Sequence, residues 1–313
     1  SSAAAQIGTP NHEAVAAARE TKNREAGERR LLLERVKAGK VLPEDGKTLR
    51  EVEDVALGRS ASSRILKDLG IPGAPENAHS LLLKLGVWDE FVNPHPRRLG
   101  FSLESDFPAR ETFPDAEGLD LTGLESFAVD DEGSEDPDDA VSIDGDTLRI
   151  HVSDPAGAVR PGTGTDIFAR ERGANLYLPE KKVPMLPPEA TALFGLGLQE
   201  TSPALSFAVK LADDGSLAEA EIRLTRVRVT RLTYEEAQRR LDAGPLREIF
   251  AFTSRSNARR KRNGAVFIRL PEVKIRAADG AITVRPLPQT YTQTMVTDAM
   301  MLDRKSTRLH SSH

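Results

Sequence analysis

Ten consecutive residues, Asp130-Asp131-Glu132-Gly133-Ser134-Glu135-Asp136-Pro137-Asp138-Asp139, concentrate the chemical potential of this chain, because seven of them are acidic. Like charges packed this closely repel, so either they point into solvent or a cation holds them together. The donors are hard carboxylate oxygens, with no Cys in the chain and no His in the stretch. Such a set selects Mg²⁺, Mn²⁺ or Ca²⁺ rather than zinc. An EF-hand loop needs glycine at its sixth position and a bidentate Glu at its twelfth. Counted from Asp130 those positions hold Glu135 and Ser142, which excludes that loop. Aspartates gathered around one or two ions can activate water and stabilise a leaving oxygen. The residues alone therefore leave two readings open, phosphoryl hydrolysis and a solvated acidic loop.

The neighbours of this stretch predict a strand end. Phe127, Ala128 and Val129 approach it, and Ala140, Val141 and Ile143 leave it, giving a buried entry, an acidic turn and a buried exit. Leu148, Ile150 and Val152 alternate, so they form a strand that pairs with 141–143 across Asp144-Gly145-Asp146. His151 faces away from that set and reads as packing, not as a ligand or base. A helix follows over 167–175. Leu205, Phe207, Val209 and Leu211 alternate as a second strand, turned by Asp213-Asp214-Gly215. Beyond the turn the apolar parity runs Ile222, Leu224, then Val227, Val229, and that shift predicts a bulge. Thr233 and Glu236 form a capping box for a helix over 234–241. A further helix, 246–262, stops at Asn263-Gly264, and strands 273–275 and 282–284 turn about Asp279-Gly280. A last helix, 292–301, carries Met295, Val296, Ala299 and Met300 on one stripe. Residues 119–302 thus read as an α/β (mixed α+β) domain.

Ahead of it, 13–92 reads as a small all-α domain. A charged helix over 13–38 carries Leu32, Leu33 and Val36, and shorter helices follow over 49–57, 61–69 and 76–85. Two short helices with a tight join resemble a helix-turn-helix. Nucleic-acid binding and helical docking are equally compatible with it, since no helix stands out as basic. Residues 1–12 read as a disordered tail. Residues 93–118 read as a linker, because Pro94 and Pro96 exclude helix and an acidic run follows. Residues 303–313 break the stripe of the last helix and read as a non-native tail, so the protein is expected to continue past Leu302.

The 313 residues suffice for about two domains. With no cysteine, disulfides and thiolate chemistry are excluded, and nothing suggests export, so the cytoplasm is the expected compartment. No apolar run approaches the roughly 20 residues a membrane span needs. The net charge of −5 hides a polarity. Residues 104–144 hold fifteen Asp/Glu against one Arg, whereas 223–276 hold fifteen Lys/Arg against five Asp/Glu. An acidic pocket with a basic surface nearby suits a metal site that handles a polyanion, and two solvated faces would give the same charges.

At this point the order of motifs resembles a known family. Phe127-Ala128-Val129-Asp130 through Asp136-Pro137-Asp138-Asp139-Ala140 is similar to the signature of the ribonuclease II / ribonuclease R family, the RNB-domain exoribonucleases. Asp120-Leu121-Thr122 stands upstream. His151-Val152-Ser153-Asp154-Pro155, Arg172-Gly173, Tyr177-Leu178-Pro179, Pro184-Met185-Leu186-Pro187, Leu232-Thr233-Tyr234 and Asn263-Gly264-Ala265-Val266-Phe267 follow in the family's order. The helical module resembles the variant in which a helix-turn-helix domain replaces cold-shock domains. The resemblance implies Mg²⁺-dependent hydrolysis of single-stranded RNA from the 3′ end, releasing nucleoside 5′-monophosphates, with Mn²⁺ as a possible substitute. It implies Asp130, Asp136 and Asp139 as metal ligands and Asp138 as the remaining essential aspartate. Asp131, Glu132 and Glu135 are expected in solvent or behind the ligands. Tyr177 matches an aromatic that stacks on the terminal base, Phe267 is a candidate second wall, and Arg259, Arg260 and Arg262 are candidate phosphate contacts. A basic helix end also suits the helix dipole, so a structural role for that run is equally open. Leu193-Phe194-Gly195-Leu196-Gly197-Leu198 departs from the family's Cys-Ser-Leu-like turn. The family's downstream half, with a catalytic arginine and an S1 domain, is not in this sequence, which implies weak or no activity for the chain by itself. A monomer is expected. The competing expectations are a catalytically silent RNA-binding protein and a helix-turn-helix DNA-binding regulator.

Overall fold

The computed structural model describes residues 12–104, 107, 118–268 and 270–310. They fall into two compact units, Ser1–Glu104 and Ser105–His313. Among the described residues no helix is long and apolar enough to cross a membrane.

The first unit is helical: α1 (His12–Lys37), α2 (Gly46–Ala56), α3 (Arg64–Asp68), α4 (Pro75–Lys84) and α5 (His95–Arg98). Its core gathers Leu32 and Val36 of α1, Leu49, Val52 and Val55 of α2, Ile65 and Leu66 of α3, and Leu82 of α4. Each such side chain removed from water contributes about 1.5–3 kcal/mol. The short α3 depends on its start. Ser63 accepts from the Leu66 amide, and the Glu51 carboxylate receives both the Ser63 hydroxyl and the Ile65 amide. Buried Asp45 is held by the Arg35 guanidinium and the Leu42 amide, which together keep its carboxyl below the usual range. The stretch read as a linker is corrected here. Pro94 and Pro96 stand at the start of α5, where a missing N–H costs nothing. Arg98 then donates to the carbonyls of Ala56 and Pro75, tying this segment to the helical core. The rest of that stretch, 105–117, lies outside the described residues apart from Phe107, as does the 1–11 tail.

The second unit contains β1 (Leu119–Asp120), β2 (Ser126–Asp130), β3 (Asp139–Asp144), β4 (Thr147–Ser153), α6 (Gly164–Arg172), β5 (Leu176–Tyr177), β6 (Lys182–Val183), α7 (Pro188–Phe194), β7 (Ser202–Leu211), β8 (Leu217–Val227), β9 (Val229–Thr233), α8 (Tyr234–Arg239), α9 (Gly244–Arg262), β10 (Glu272–Ala278), β11 (Ala281–Leu287) and α10 (Tyr291–His310). Seven strands make one sheet in the order β1-β8-β7-β4-β3-β2-β9. Neighbours from β8 to β2 run antiparallel, and the two flanking strands, β1 and β9, pair parallel. One face presents Phe127, Val129, Val141, Ile150 and Phe207 to Ile249 and Phe252 of α9 and to Met295, Ala299 and Leu302 of α10. The other face is lined by small residues, Ala128, Ala140 and Ala204, packed with Leu196 and Val227.

Two covered faces explain a misread pattern. The pairing of β7 with β8 is unbroken from Ser202↔Val227 to Lys210↔Glu219, so no bulge separates Leu224 from Val227. Instead, Ile222 packs on the helix-covered face, Leu224 is half exposed, and Thr225 and Val227 are buried on the other. The register shift lies between Lys210 and Leu211. The backbone of α10 continues to His310, so 303–310 extends the last helix rather than standing apart from it.

Candidate active site

Strands β2 and β3 are antiparallel neighbours, with Phe127 opposite Val141. Their joining ends therefore bring Asp130 and Asp139 together at one end of the strands, and the acidic stretch forms the connection between them. Several bonds shape that connection. The Asp138 carbonyl accepts from the Ser153 amide at 2.8 Å, and the Pro137 carbonyl accepts from the Leu196 amide at 2.9 Å. Asp130 Oδ2 accepts from Ser134 Oγ at 2.7 Å across a turn in which Gly133 has φ of 80°. A left-handed backbone suits glycine at that point. Arg231 donates to the Ser134 carbonyl from β9.

The result is a cleft of about 790 Å³ whose walls include Asp130, Asp136, Asp138, Asp139, Tyr177 and Lys182. The four aspartates are brought together, as the spacing predicts, and so is Tyr177. Its ring is exposed while its hydroxyl donates to Asp136 Oδ2. Asn175 Nδ2 donates to that same oxygen at 2.7 Å, and Lys182 Nζ lies 2.9 Å from it. Strand pairing places them: Tyr177 stands opposite Lys182 in the small β5–β6 ladder. The Asn175 carbonyl oxygen, accepting from the Met185 amide at 2.7 Å, fixes the amide's orientation.

Acidic crowding shows in the protonation chemistry. Burial, then the Asp136 charge, pushes the Asp138 carboxyl up, although Asp138 keeps an edge open to solvent. Asp139 is pushed up to about 6, first by burial and then by Asp130 and Asp138. Burial, then the charges of Asp130 and Asp139, raises the Tyr234 hydroxyl to about 12. A hard divalent cation suits this donor set, since it would relieve both the desolvation and the repulsion. The carboxylates as they stand do not cage one: among the described residues no three His, Asp or Glu side chains converge on a common point. Asp136 and Asp131 are instead paired with cations of the chain itself, Lys182 and Lys274. A cation at Asp136 would compete with Lys182 for that carboxylate.

An acid whose folded pKa exceeds its unfolded value of about 4 costs stability where it is ionised in the fold. Without metal, Asp139→Asn is therefore expected to stabilise the protein near pH 7, by about 1–3 kcal/mol. That advantage should shrink as the pH falls through 6 towards 4, where the native carboxyl is protonated. Urea midpoints of both proteins across that range check this, and a difference that does not change with pH contradicts it.

The basic run, open to a phosphate contact or a structural role, is not part of the cleft's lining and is partnered within the chain. Arg259 and Arg262 reach Asp214 in the β7–β8 turn, at 3.4 Å to the carboxylate and 2.7 Å to the carbonyl. Arg255 donates to the Ala212 carbonyl. The contact is close enough that a Cβ on Gly215 would stand 2.6 Å from the Arg255 carbonyl oxygen. Arg260 is bound to buried Asp298. Phe267 sits under Arg260 and Lys261, each 5.3 Å from its ring centre, and is not a wall of the cleft. His151 is fully buried and packs as read. Its ring nitrogens meet Ser142 Oγ at 2.9 Å and Ser206 Oγ at 2.6 Å, and burial pushes its pKa down to about 3. Asn175, Lys182 and Lys274 escaped the sequence reading. The available signal was the Tyr177–Lys182 spacing of a tight hairpin, and the polar side of the 273–275 alternation.

Comparison with known proteins agrees with this geometry. The RNB domain family matches residues 119–311, and the Double HTH domain family matches 12–94. An uncharacterised ribonuclease of Synechocystis is 32% identical over 263 residues, covering 76% of this chain and 39% of that protein. The chloroplastic/mitochondrial ribonuclease II of Arabidopsis thaliana is 32% identical over 191 residues, 55% of this chain and 24% of that one. The chain thus spans well under half the length of these relatives. Among solved structures, the Dss1 exoribonuclease of Candida glabrata matches with a TM-score of 0.66 at 19% identity, over 87% of this chain and 44% of that one. Ribonuclease R of Mycoplasma genitalium, solved with single-stranded RNA, matches with a TM-score of 0.54 at 21% identity, over 59% and 32%. At those identities the likeness is one of fold. With the aspartate-bearing strand ends, the helical unit ahead of them and these matches together, the chain belongs to the RNB-domain family of ribonuclease II and ribonuclease R type, preceded by a double helix-turn-helix domain.

Proposed function

We propose that the protein, at its natural length, hydrolyses single-stranded RNA from the 3′ end and releases nucleoside 5′-monophosphates. One observation carries the reading: four carboxylates, two with raised pKa, share a cleft with an exposed tyrosine ring. Asp130, Asp136 and Asp139 would hold Mg²⁺, or Mn²⁺ in its place. When bound, the cation supplies charge stabilisation and a more acidic water at the scissile phosphate. The chain's own residues do the rest. Tyr177 offers the terminal base a stacking face worth about 1–3 kcal/mol without reading sequence. Its hydroxyl, bonded to Asp136, fixes that face relative to the carboxylates. Asp138, bonded to Ser153 through both backbone and side chain, keeps its carboxylate at the cleft mouth. A catalytically silent RNA-binding protein is the competing reading, favoured by the lysine already seated on Asp136. A 3′-tailed RNA incubated with and without Mg²⁺ separates them: cation-dependent shortening supports the enzyme, and intact RNA under both conditions overturns it.

A further inference from the structure

The hairpin formed by β10 and β11 has two unlike faces. Register places Val273, Ile275 and Ala277 beside Pro286, Val284 and Ile282 on one of them. On the other, Lys274 stands directly opposite Arg285, and Arg276 follows two residues along the same strand. Cations directly opposite one another across a ladder destabilise it, so folding of the hairpin does not ask for this pair. Arg276 and Arg285 are exposed, and among the described residues neither is held in an ion pair. The β10 end of the hairpin borders the cleft through Lys274, Ile275 and Arg276, and Arg285 stands behind Lys274 across the ladder. Lys274 Nζ lies 3.3 Å from Asp131 Oδ2, and Lys274 and Arg276 both line the cleft wall. The Ala277 amide donates to the Pro179 carbonyl at 2.8 Å, which fastens the hairpin beside the Tyr177 loop.

We propose that Lys274, Arg276 and Arg285 form a phosphate track that leads the backbone of single-stranded RNA into the cleft. The assignment rests on the exoribonuclease reading and adds a binding surface to it. Alternate residues on a strand are about 7 Å apart, a spacing that a flexible, extended polyanion can follow. A backbone track is also indifferent to base identity, as removal of successive nucleotides requires. An RNA chain would supply the anion that Arg285 lacks across from Lys274, while the carboxylates beyond it repel phosphate unless a cation is present.

The test is binding of a labelled oligouridylate by fluorescence anisotropy, in chelator and at several salt concentrations, so that hydrolysis plays no part. Each phosphate contact on a single strand contributes about 0.7 to the slope of log K against log salt. Replacing Lys274, Arg276 and Arg285 together with Ala is expected to lower that slope by about 2 and to weaken binding at least about tenfold at low salt. The double variant Arg276→Ala/Arg285→Ala leaves the Asp131 contact in place and should lower it by about 1.4. Val273→Thr/Val284→Thr, on the apolar face, should leave it unchanged. An unchanged slope in the basic-face variants, with RNA still bound, overturns the track and leaves the hydrolytic reading standing. Loss of slope in the apolar-face variant instead also overturns the track. If the unaltered chain binds no oligouridylate at low salt, the track fails, and the 3′-tailed hydrolysis assay on the natural-length protein decides separately on the enzyme.

Discussion

Asp138→Asn is expected to lower RNA hydrolysis by the natural-length protein at least about 10³-fold while leaving RNA affinity within about twofold. Asparagine keeps the shape of the side chain and one oxygen for Ser153 Oγ, which lies 3.3 Å from Asp138 Oδ1. What it loses is the charge at the mouth of the cleft. The other aspartates remain to hold a cation, so the loss falls on the reaction rather than on assembly of the site. Binding should not suffer, because removing an anion from a cleft that receives phosphate lowers repulsion. Hydrolysis at the unaltered rate would show that Asp138 is a bystander.

The second large effect concerns stability. Arg260→Ala is expected to cost about 3 kcal/mol in urea denaturation, with RNA affinity and its salt dependence unchanged. Asp298 is 4% exposed and accepts from Arg260 Nη1 at 2.8 Å and Asn257 Nδ2 at 2.6 Å. Burial already pushes its carboxyl up, and those two donors hold it down. Removing the guanidinium leaves a buried carboxylate with one neutral donor and loosens the packing of α9 on α10. Arg259→Ala, by contrast, breaks an exposed pair worth about 1 kcal/mol or less. An Arg260 variant with native stability and a salt slope reduced by about 0.7 would return this residue to the RNA.

What the sequence made legible was what period and punctuation encode. The 148–152 alternation, the Thr233–Glu236 capping box, the Asn263-Gly264 stop and the turn at Asp279-Gly280 all lie where those rules put them. Gathering of Asp130 to Asp139 was equally readable, because two apolar strands on either side force the acidic connection to their shared end. Partners across the fold were not. Nothing local says that Arg260 finds Asp298 in another helix, or that Arg262 reaches the Asp214 carbonyl. A run of arginines carries the same local signal whether it meets phosphate or a turn. The apparent bulge near Leu224 failed for a related reason: both faces of the sheet are covered, so apolar parity changes without any change in pairing. Pro96 misled in the same way, since at the start of a helical turn it marks an opening and not a break.

A crowd of carboxylates demands either solvent or a cation. In the fold Lys182 and Lys274 meet part of that demand, and the rest remains as the raised pKa of Asp138 and Asp139. The site is therefore held together by the chain's own cations, and a divalent cation would relieve the repulsion that remains. Direction of attack tests the account most directly. With RNA labelled at its 5′ end, the natural-length protein and Mg²⁺ should yield a ladder that keeps the label while it shortens, together with nucleoside 5′-monophosphates. Label released first as a mononucleotide, or internal fragments without a ladder, would contradict it.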